Sequence, residues 1–159
     1  MSDYDIRTVD LTEVAGLRSA LLDRSGSAAS DPSAGDEHPS TRHVGAFRDE
    51  VLVGVASIFP GAMPGESGTN SWRLAAIAVD YGHRGIGIGG SLAERCLEHA
   101  AALNGRSVWC IAPAGAFGFF ERFGFGRSGD PIDDPNDGPQ YLLFTEVRPL
   151  SRSWALPGA

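Results

Sequence analysis

Residues Leu74–Ala100 read LAAIAVDYGHRGIGIGGSLAERCLEHA. The stretch opens on an apolar run, Leu74–Val79, of strand length, and closes on a helical pattern that continues from Ser91 to Leu103. Between them stands HRGIGIGG, His83–Gly90, in which four of eight residues are glycine and an arginine precedes the first. Strand, glycine turn and helix together form a usual backbone wrap for an anion. The first amides of a helix have no internal partner, and the helix dipole favours negative charge there. Glycine permits close approach of a ligand to the backbone. Gly89 and Gly90 each weaken a first helical turn by ~1 kcal/mol relative to alanine, so a sequence that places them there needs the space.

The flanking chain supplies an α/β frame. Tyr4–Asp10 alternates as a first strand. Leu11, Val14, Leu17 and Leu21 follow at helical spacing, with Asp10 placed to cap the helix. Residues 23–41 are rich in Ser, Gly, Asp and Pro and read as a long flexible connection. RHVGAF and VLVGVASIFP flank Arg48, Asp49 and Glu50 as a hairpin, and a polar loop, Pro60–Asn70, leads to the strand SWRLAAIAV. RSVWCIA (Arg106–Ala112) is a further strand. GAFGFFERFGF (Gly115–Phe125) is a short helix with its stop, in which Gly124 suits a left-handed cap and Phe125 can pack back. QYLLFTEV (Gln140–Val147) is a last strand, and an extra strand is open near Gly126. The acidic GDPIDDPNDG, Gly129–Gly138, reads as a solvated turn, with an acidic rim for a cation as its functional alternative. The expected organisation is one domain over residues 1–147 and a C-terminal tail over 148–159.

Composition narrows the function. The chain has 159 residues, 42% hydrophobic and 21% charged, with a net charge of −7. All 13 basic residues are arginine, with no basic run, which argues against a nucleic-acid surface. Cys96 and Cys110 are the only cysteines, too few for a disulfide framework, and no His/Cys cluster has metal spacing. The polar, acidic N-terminus is no targeting peptide and no run reaches membrane-span length, so a cytoplasmic location is expected.

Two anions compete for the glycine turn. Gly85, Gly87 and Gly90 satisfy G-x-G-x-x-G, the dinucleotide pattern. Three details disfavour it: Asp80–Arg84 intervene between strand and glycines, no acid closes the next strand from Val108 to Pro113, and a hairpin precedes the motif. Arg84, Gly87 and Gly89 satisfy R-x-x-G-x-G. That pattern, with the whole stretch Leu74–Ala100, resembles the acyl-CoA pyrophosphate loop of the GCN5-related N-acetyltransferase (GNAT) superfamily. AFGFFERFGF independently resembles the family's A-x-x-F-Y-x-x-x-G-F block. The resemblance covers roughly residues 42–147, and TRHVGAF, VWC and DGPQYLLF further resemble a bacterial small-molecule-type subgroup.

The resemblance implies a GNAT fold: an α/β protein with a mixed, mostly antiparallel sheet of six to seven strands, helices on both faces, and a splayed central strand pair. It implies acetyl-CoA as co-substrate, bound by Ile77, Ala78 and Val79 on the strand, by Arg84, Gly85, Ile86, Gly87, Ile88, Gly89 and Gly90 on the loop, and by Ala116 and Phe120. It also implies an amide near Val79 facing the thioester oxygen as an oxyanion donor, and a small amine-bearing acceptor. No metal is implied, nor nucleic acid or membrane; a homodimer is an open expectation. The acid–base groups are where the sequence departs from its relatives. Phe120 stands where the family often has a tyrosine able to protonate the leaving thiolate. Ile111 and Gln140 replace the Asn and His of the subgroup. The remaining catalytic candidates are Tyr141, His43 and Cys110. The alternative to an active enzyme is therefore a domain that binds acetyl-CoA with little or no turnover. The negative charge biases acceptors toward cations.

Overall fold

The structure, a computed structural model, describes residues 4–14, 16–17, 39–65, 70–135 and 138–147. Residues 11–14 and 16–17 are helical. The remaining elements, in chain order, are β1 (Asp5–Val9), β2 (Arg42–Arg48), β3 (Val51–Pro60), β4 (Ser71–Val79), a 3-10 turn (Tyr81–His83), α1 (Ile88–Ala102), β5 (Ser107–Pro113), a second 3-10 turn (Ala114–Ala116), α2 (Phe117–Glu121), β6 (Gly126–Asp134) and β7 (Gly138–Glu146). β1 with β2, β2 with β3, β5 with β7 and β6 with β7 pair antiparallel, and β4 with β5 is parallel. The mixed, mostly antiparallel α/β sheet expected from the sequence is thus the observed class. Among the described residues no helix is long and apolar enough to cross a membrane. The chain sorts into two compact units, the described residues of Met1–Phe59 with Leu74–Cys96, and those of Pro60–Arg73 with Leu97–Ala159; β4 and α1 contribute to both. The segment 23–38 and the tail 148–159 lie outside the described residues.

In the first unit the strands run β1-β2-β3-β4. β2 turns into β3 through Asp49 (φ 50°) and Glu50 (φ 66°), with Arg48 paired to Val51. Two successive positive φ values give a turn whose twist matches that of the strands it joins. Asp10 caps the first helix as its sequence position predicts. Its carboxylate accepts the Glu13 N–H at 2.9 Å, and the Glu13 carboxylate accepts the Asp10 N–H at 3.2 Å, a reciprocal capping box. Val14 of that helix is fully buried and clusters with Val9 and Val55. On the preceding residue of β3, a side chain at Gly54 would meet Ile88 Cγ2 at 3.0 Å and Leu92 Cδ1 at 3.2 Å, so α1 rests directly on the strand backbone. Adjacent strand residues point to opposite faces. The N-terminal helix and α1 therefore cover opposite faces of this part of the sheet.

In the second unit the order is β4-β5-β7-β6. The parallel pairing takes in Ser71–Arg73 and Ser107–Trp109, and the antiparallel β5–β7 ladder runs from Ser107↔Glu146 to Pro113↔Gln140. The acidic segment read as a solvated turn is corrected here: Gly129–Asp134 belongs to β6, and Pro135 stands in a turn. A register shift between Ser128 and Ile132 takes up Gly129 (φ 75°), Asp130 and Pro131. That bulge accommodates a proline on an edge strand, where its missing N–H costs no ladder bond. Trp72 sets its ring edge-on to His99 of α1 at 5.5 Å.

The stop of α2 follows the sequence reading closely. Gly124 has φ 87°, its N–H donates to Glu121 O at 3.0 Å, and the Phe125 N–H donates to Phe120 O at 3.3 Å. These are the two bonds of a Schellman cap. Phe125 is buried, with its ring 5.3 Å from that of Phe120. A Cβ at Gly124 would also approach Thr145 Oγ1 to 3.0 Å. Gly124→Ala is expected to lower unfolding stability by about 1–2 kcal/mol, the cost of a left-handed L-residue, read as a shift in urea midpoint at unchanged slope.

Candidate functional site

The glycine turn is built from the end of β4 outward. The Asp80 N–H donates to Val53 O at 2.8 Å and ties the end of β4 to the start of β3; the Asp80 carbonyl then accepts the His83 N–H at 2.9 Å and forms the 3-10 turn. Arg84 is exposed and folds back, its Nε donating to Val79 O at 3.0 Å. Gly85 (φ 84°) and Gly87 (φ 91°) both occupy the left-handed region, which an L-residue enters only at a cost. The Gly87 carbonyl accepts the Ser91 N–H at 3.0 Å, so α1 begins here. The amides of Ile88, Gly89 and Gly90 precede the first intrahelical donor. No acidic residue stands in that first turn.

Side chains from outside the motif brace it. Tyr4 Oη and Ser91 Oγ share a hydrogen bond of 2.7 Å, and Tyr4 Oη is also the nearest atom, at 3.6 Å, to where a Gly87 Cβ would lie. Arg48, at the β2–β3 turn, has Nη1 3.2 Å from His83 Nδ1. Arginine has no acceptor. His83 therefore accepts through Nδ1 and carries its proton on Nε2. A Cβ at Gly85 would meet nothing within 4 Å, so the backbone there is open to a ligand. Free helical amides, a positive dipole end and two nearby guanidinium groups suit an anion of phosphate type.

The loop residues predicted from sequence, Arg84–Gly90, thus form one continuous turn and helix start. Ile77, Ala78 and Val79 form the half-buried end of β4. Ile88 buries its side chain almost completely and leaves only its backbone for a ligand. Ala116 and Phe120 belong to the second unit. Ala116 closes the 3-10 turn before α2, and Phe120 is buried with its ring edge-on to Phe119 at 5.0 Å.

The catalytic candidates fall in different surroundings. His43 is buried on β2 with Nδ1 2.6 Å from Ser57 Oγ, its register partner on β3. Tyr141 is half-buried on β7 beneath the Arg127 guanidinium, 4.6 Å from the ring centroid. Cys110 is buried on β5, and burial pushes its thiol up to about 12 against the opposing charge of Arg73. Proton transfer from such a thiol to a thiolate of pKa ~8.5 is uphill by ~4–5 kcal/mol, which leaves Cys110 a weak acid. Tyr4, Ser91 and Arg48 escaped the sequence reading. The Tyr4–Ser91 bond spans 87 positions, and no local pattern announces it.

Burial also holds the Cys96 thiol up at about 12. The ordinary thiol value is 9.0, so the folded chain keeps protons that the unfolded chain releases. Stability is then full below pH ~9 and is lost as pH rises toward 12, at ~1.4 kcal/mol per pH unit for each thiol. Urea unfolding at pH 8, 9 and 10 is expected to show this decline, and Cys110→Ala is expected to flatten it. An unchanged slope in the variant would contradict the burial of that thiol.

Residues 13–125 match the Acetyltransferase (GNAT) family. An uncharacterized N-acetyltransferase of Bacillus subtilis (strain 168), YitI, is 26% identical over 145 residues, covering 91% of this chain and 97% of its own. Among solved structures, FeeM, an N-acyl amino acid synthase from uncultured soil microbes, superposes with a TM-score of 0.73 at 19% identity, covering 91% of this chain and 92% of its own. The spermidine N-acetyltransferase of Vibrio cholerae, in complex with CoA and spermine, gives 0.68 at 13% identity, covering 92% and 97%.

Proposed function

Because the chain belongs to the Acetyltransferase (GNAT) family, we propose that it moves an acetyl group from acetyl-CoA to a primary amine by direct attack on the thioester. One observation carries the reading: the start of α1, where Gly85 and Gly87 hold positive φ and the amides of Ile88–Gly90 stand free of acidic neighbours in the turn. These amides, with Arg84, would hold the pyrophosphate. Acetyl-CoA brings an activated carbonyl. The backbone of Ile77–Val79 would align the pantetheine arm, and an amide near Val79 would stabilise the oxyanion.

The acid–base groups set the rate. Phe120 has no proton to give and lies among other rings. Cys110 is too weak an acid, and His43 is engaged with Ser57. Turnover then relies on water, on Tyr141, or on the tolerable basicity of the leaving thiolate. General acid help is worth ~10²–10⁴ in rate where it operates. The second reading, an acetyl-CoA-binding domain with little turnover, is favoured by Phe120. The two relatives act on different acceptors by name, a polyamine and an amino acid, so the fold leaves the acceptor open.

Calorimetric titration with acetyl-CoA is the test. Wild type is expected to bind and Gly87→Glu to show no heat of binding, since its carboxylate would sit against the pyrophosphate. Gly87→Ala carries the same backbone strain without the charge and is expected to retain weaker binding. Equal affinity in wild type and Gly87→Glu would remove the loop from the site. Thiol release with an amine panel then separates the readings: turnover favours the enzyme, and binding without turnover favours the second.

A further inference from the structure

We infer that Arg48, aimed by His83, is a further phosphate-binding residue at the glycine turn, so that the co-substrate is held by its phosphates from two sides: the amides at the start of α1, and a guanidinium carried at the β2–β3 turn. The inference rests on the acyl-CoA reading above and deepens it, and every residue it uses lies in the first compact unit.

Two observations bring Arg48 to the turn. The first is register. Ala46 of β2 pairs with Gly54 of β3, the position where a side chain would meet Ile88, the first residue of α1, at 3.0 Å. Residues two apart on a strand share a face. Arg48 therefore stands on the face that α1 covers, about 7 Å along β2 from the row where the helix begins. The second is contact. Arg48 Nη1 donates to His83 Nδ1 at 3.2 Å, and His83 is the first residue of the motif that runs to Gly90.

The hairpin is irregular at this point. Pairing steps from Ala46↔Gly54 to Phe47↔Leu52, so Val53 has no partner on β2, and its carbonyl accepts the Asp80 N–H at 2.8 Å. A bulge of this kind re-aims the side chains beside it. Here it closes the hairpin on Arg48↔Val51 and ties β3 to the residue whose carbonyl accepts the His83 N–H.

The donors of the pair are largely unused. His83 takes one of the five guanidinium N–H groups, and no other partner of the Arg48 side chain lies among the described residues. Glu50, in the same turn, gives its carboxylate to Arg7 at 3.0 Å. His83 accepts through Nδ1 and so presents Nε2–H as a further donor. A guanidinium fork beside an imidazole N–H, in a chain of net charge −7, matches the oxygens of a phosphate in charge and geometry. His83 is a positioning residue: its acceptor fixes Arg48 beforehand and so lowers the ordering cost of binding.

Calorimetric titration with CoA, dephospho-CoA and inorganic pyrophosphate tests the inference. Arg48→Met is expected to weaken CoA binding about tenfold or more, and Arg48→Lys less, since it keeps the charge and loses the fork. His83→Asn retains an acceptor in place of Nδ1 and is expected to bind nearly as wild type, whereas His83→Leu is expected to bind more weakly. Equal affinities in these two variants overturn the positioning role. Stoichiometry reports the folded fraction apart from affinity, so partial unfolding of a variant does not mimic the loss. An equal loss in Arg48→Met for CoA and dephospho-CoA sets Arg48 on the pyrophosphate, and a loss confined to CoA sets it on the phosphate monoester; both uphold the inference. Wild-type affinity for both in Arg48→Met overturns it and leaves the acyl-CoA reading intact. If wild type binds neither, that reading fails instead, and inorganic pyrophosphate decides: binding that Arg48→Met loses upholds the phosphate site, and any other result overturns it.

Discussion

The seating of α1 on β3 at Gly54 is the constraint on which the candidate site depends. Any side chain at Gly54 would press on Ile88 and Leu92, so the helix can approach the strand closely only because that position is glycine. Ile88 is at once the first residue of α1 and one of its most buried side chains. Its side chain fixes where the helix starts, and its backbone amide joins those of Gly89 and Gly90 at the open end. The glycine turn has to span from Val79, held through the Asp80–Val53 bond, to this anchored start. Gly85 and Gly87 make the span by turning through positive φ. An anion site of this kind is a by-product of packing: the core fixes the helix, and the helix presents its amides.

Much of this was legible in the sequence, for reasons tied to particular residues. β3 and β4 were bounded by their apolar runs, and their observed limits coincide with the runs read from sequence. Asp10 and Gly124 declared the ends of helices because capping chemistry is local and demands specific residue types. Where the signal was not local, reading failed. The strand left open near Gly126 runs on to Asp134, through a segment read as a turn, because Gly129 and Pro131 break the alternation and a bulge hides from any period-two pattern. The Tyr4–Ser91 bond joins the chain before β1 to α1 across 87 positions.

The chemistry of the chain is asymmetric. The groups proposed to bind the cofactor are mostly backbone amides at the start of α1, in a turn whose Gly85 and Gly87 hold positive φ. Proton-handling groups are side chains, and several of these are absent or sequestered: Phe120 lacks the hydroxyl, Cys110 is buried and too weak an acid, and His43 is occupied. Such a chain would retain cofactor affinity while its rate falls to what the thioester's own reactivity permits.

The central claim is that the turn His83–Gly90 holds acyl-CoA. A thermal melt with acetyl-CoA, with CoA and with NAD tests it directly. A ligand at ~100 times its dissociation constant adds ~2.7 kcal/mol of stability, or roughly 5–10 °C for a chain of this size. The account predicts that shift with acetyl-CoA and with CoA and none with NAD. A shift with NAD alone, or no shift with any of the three, would contradict it.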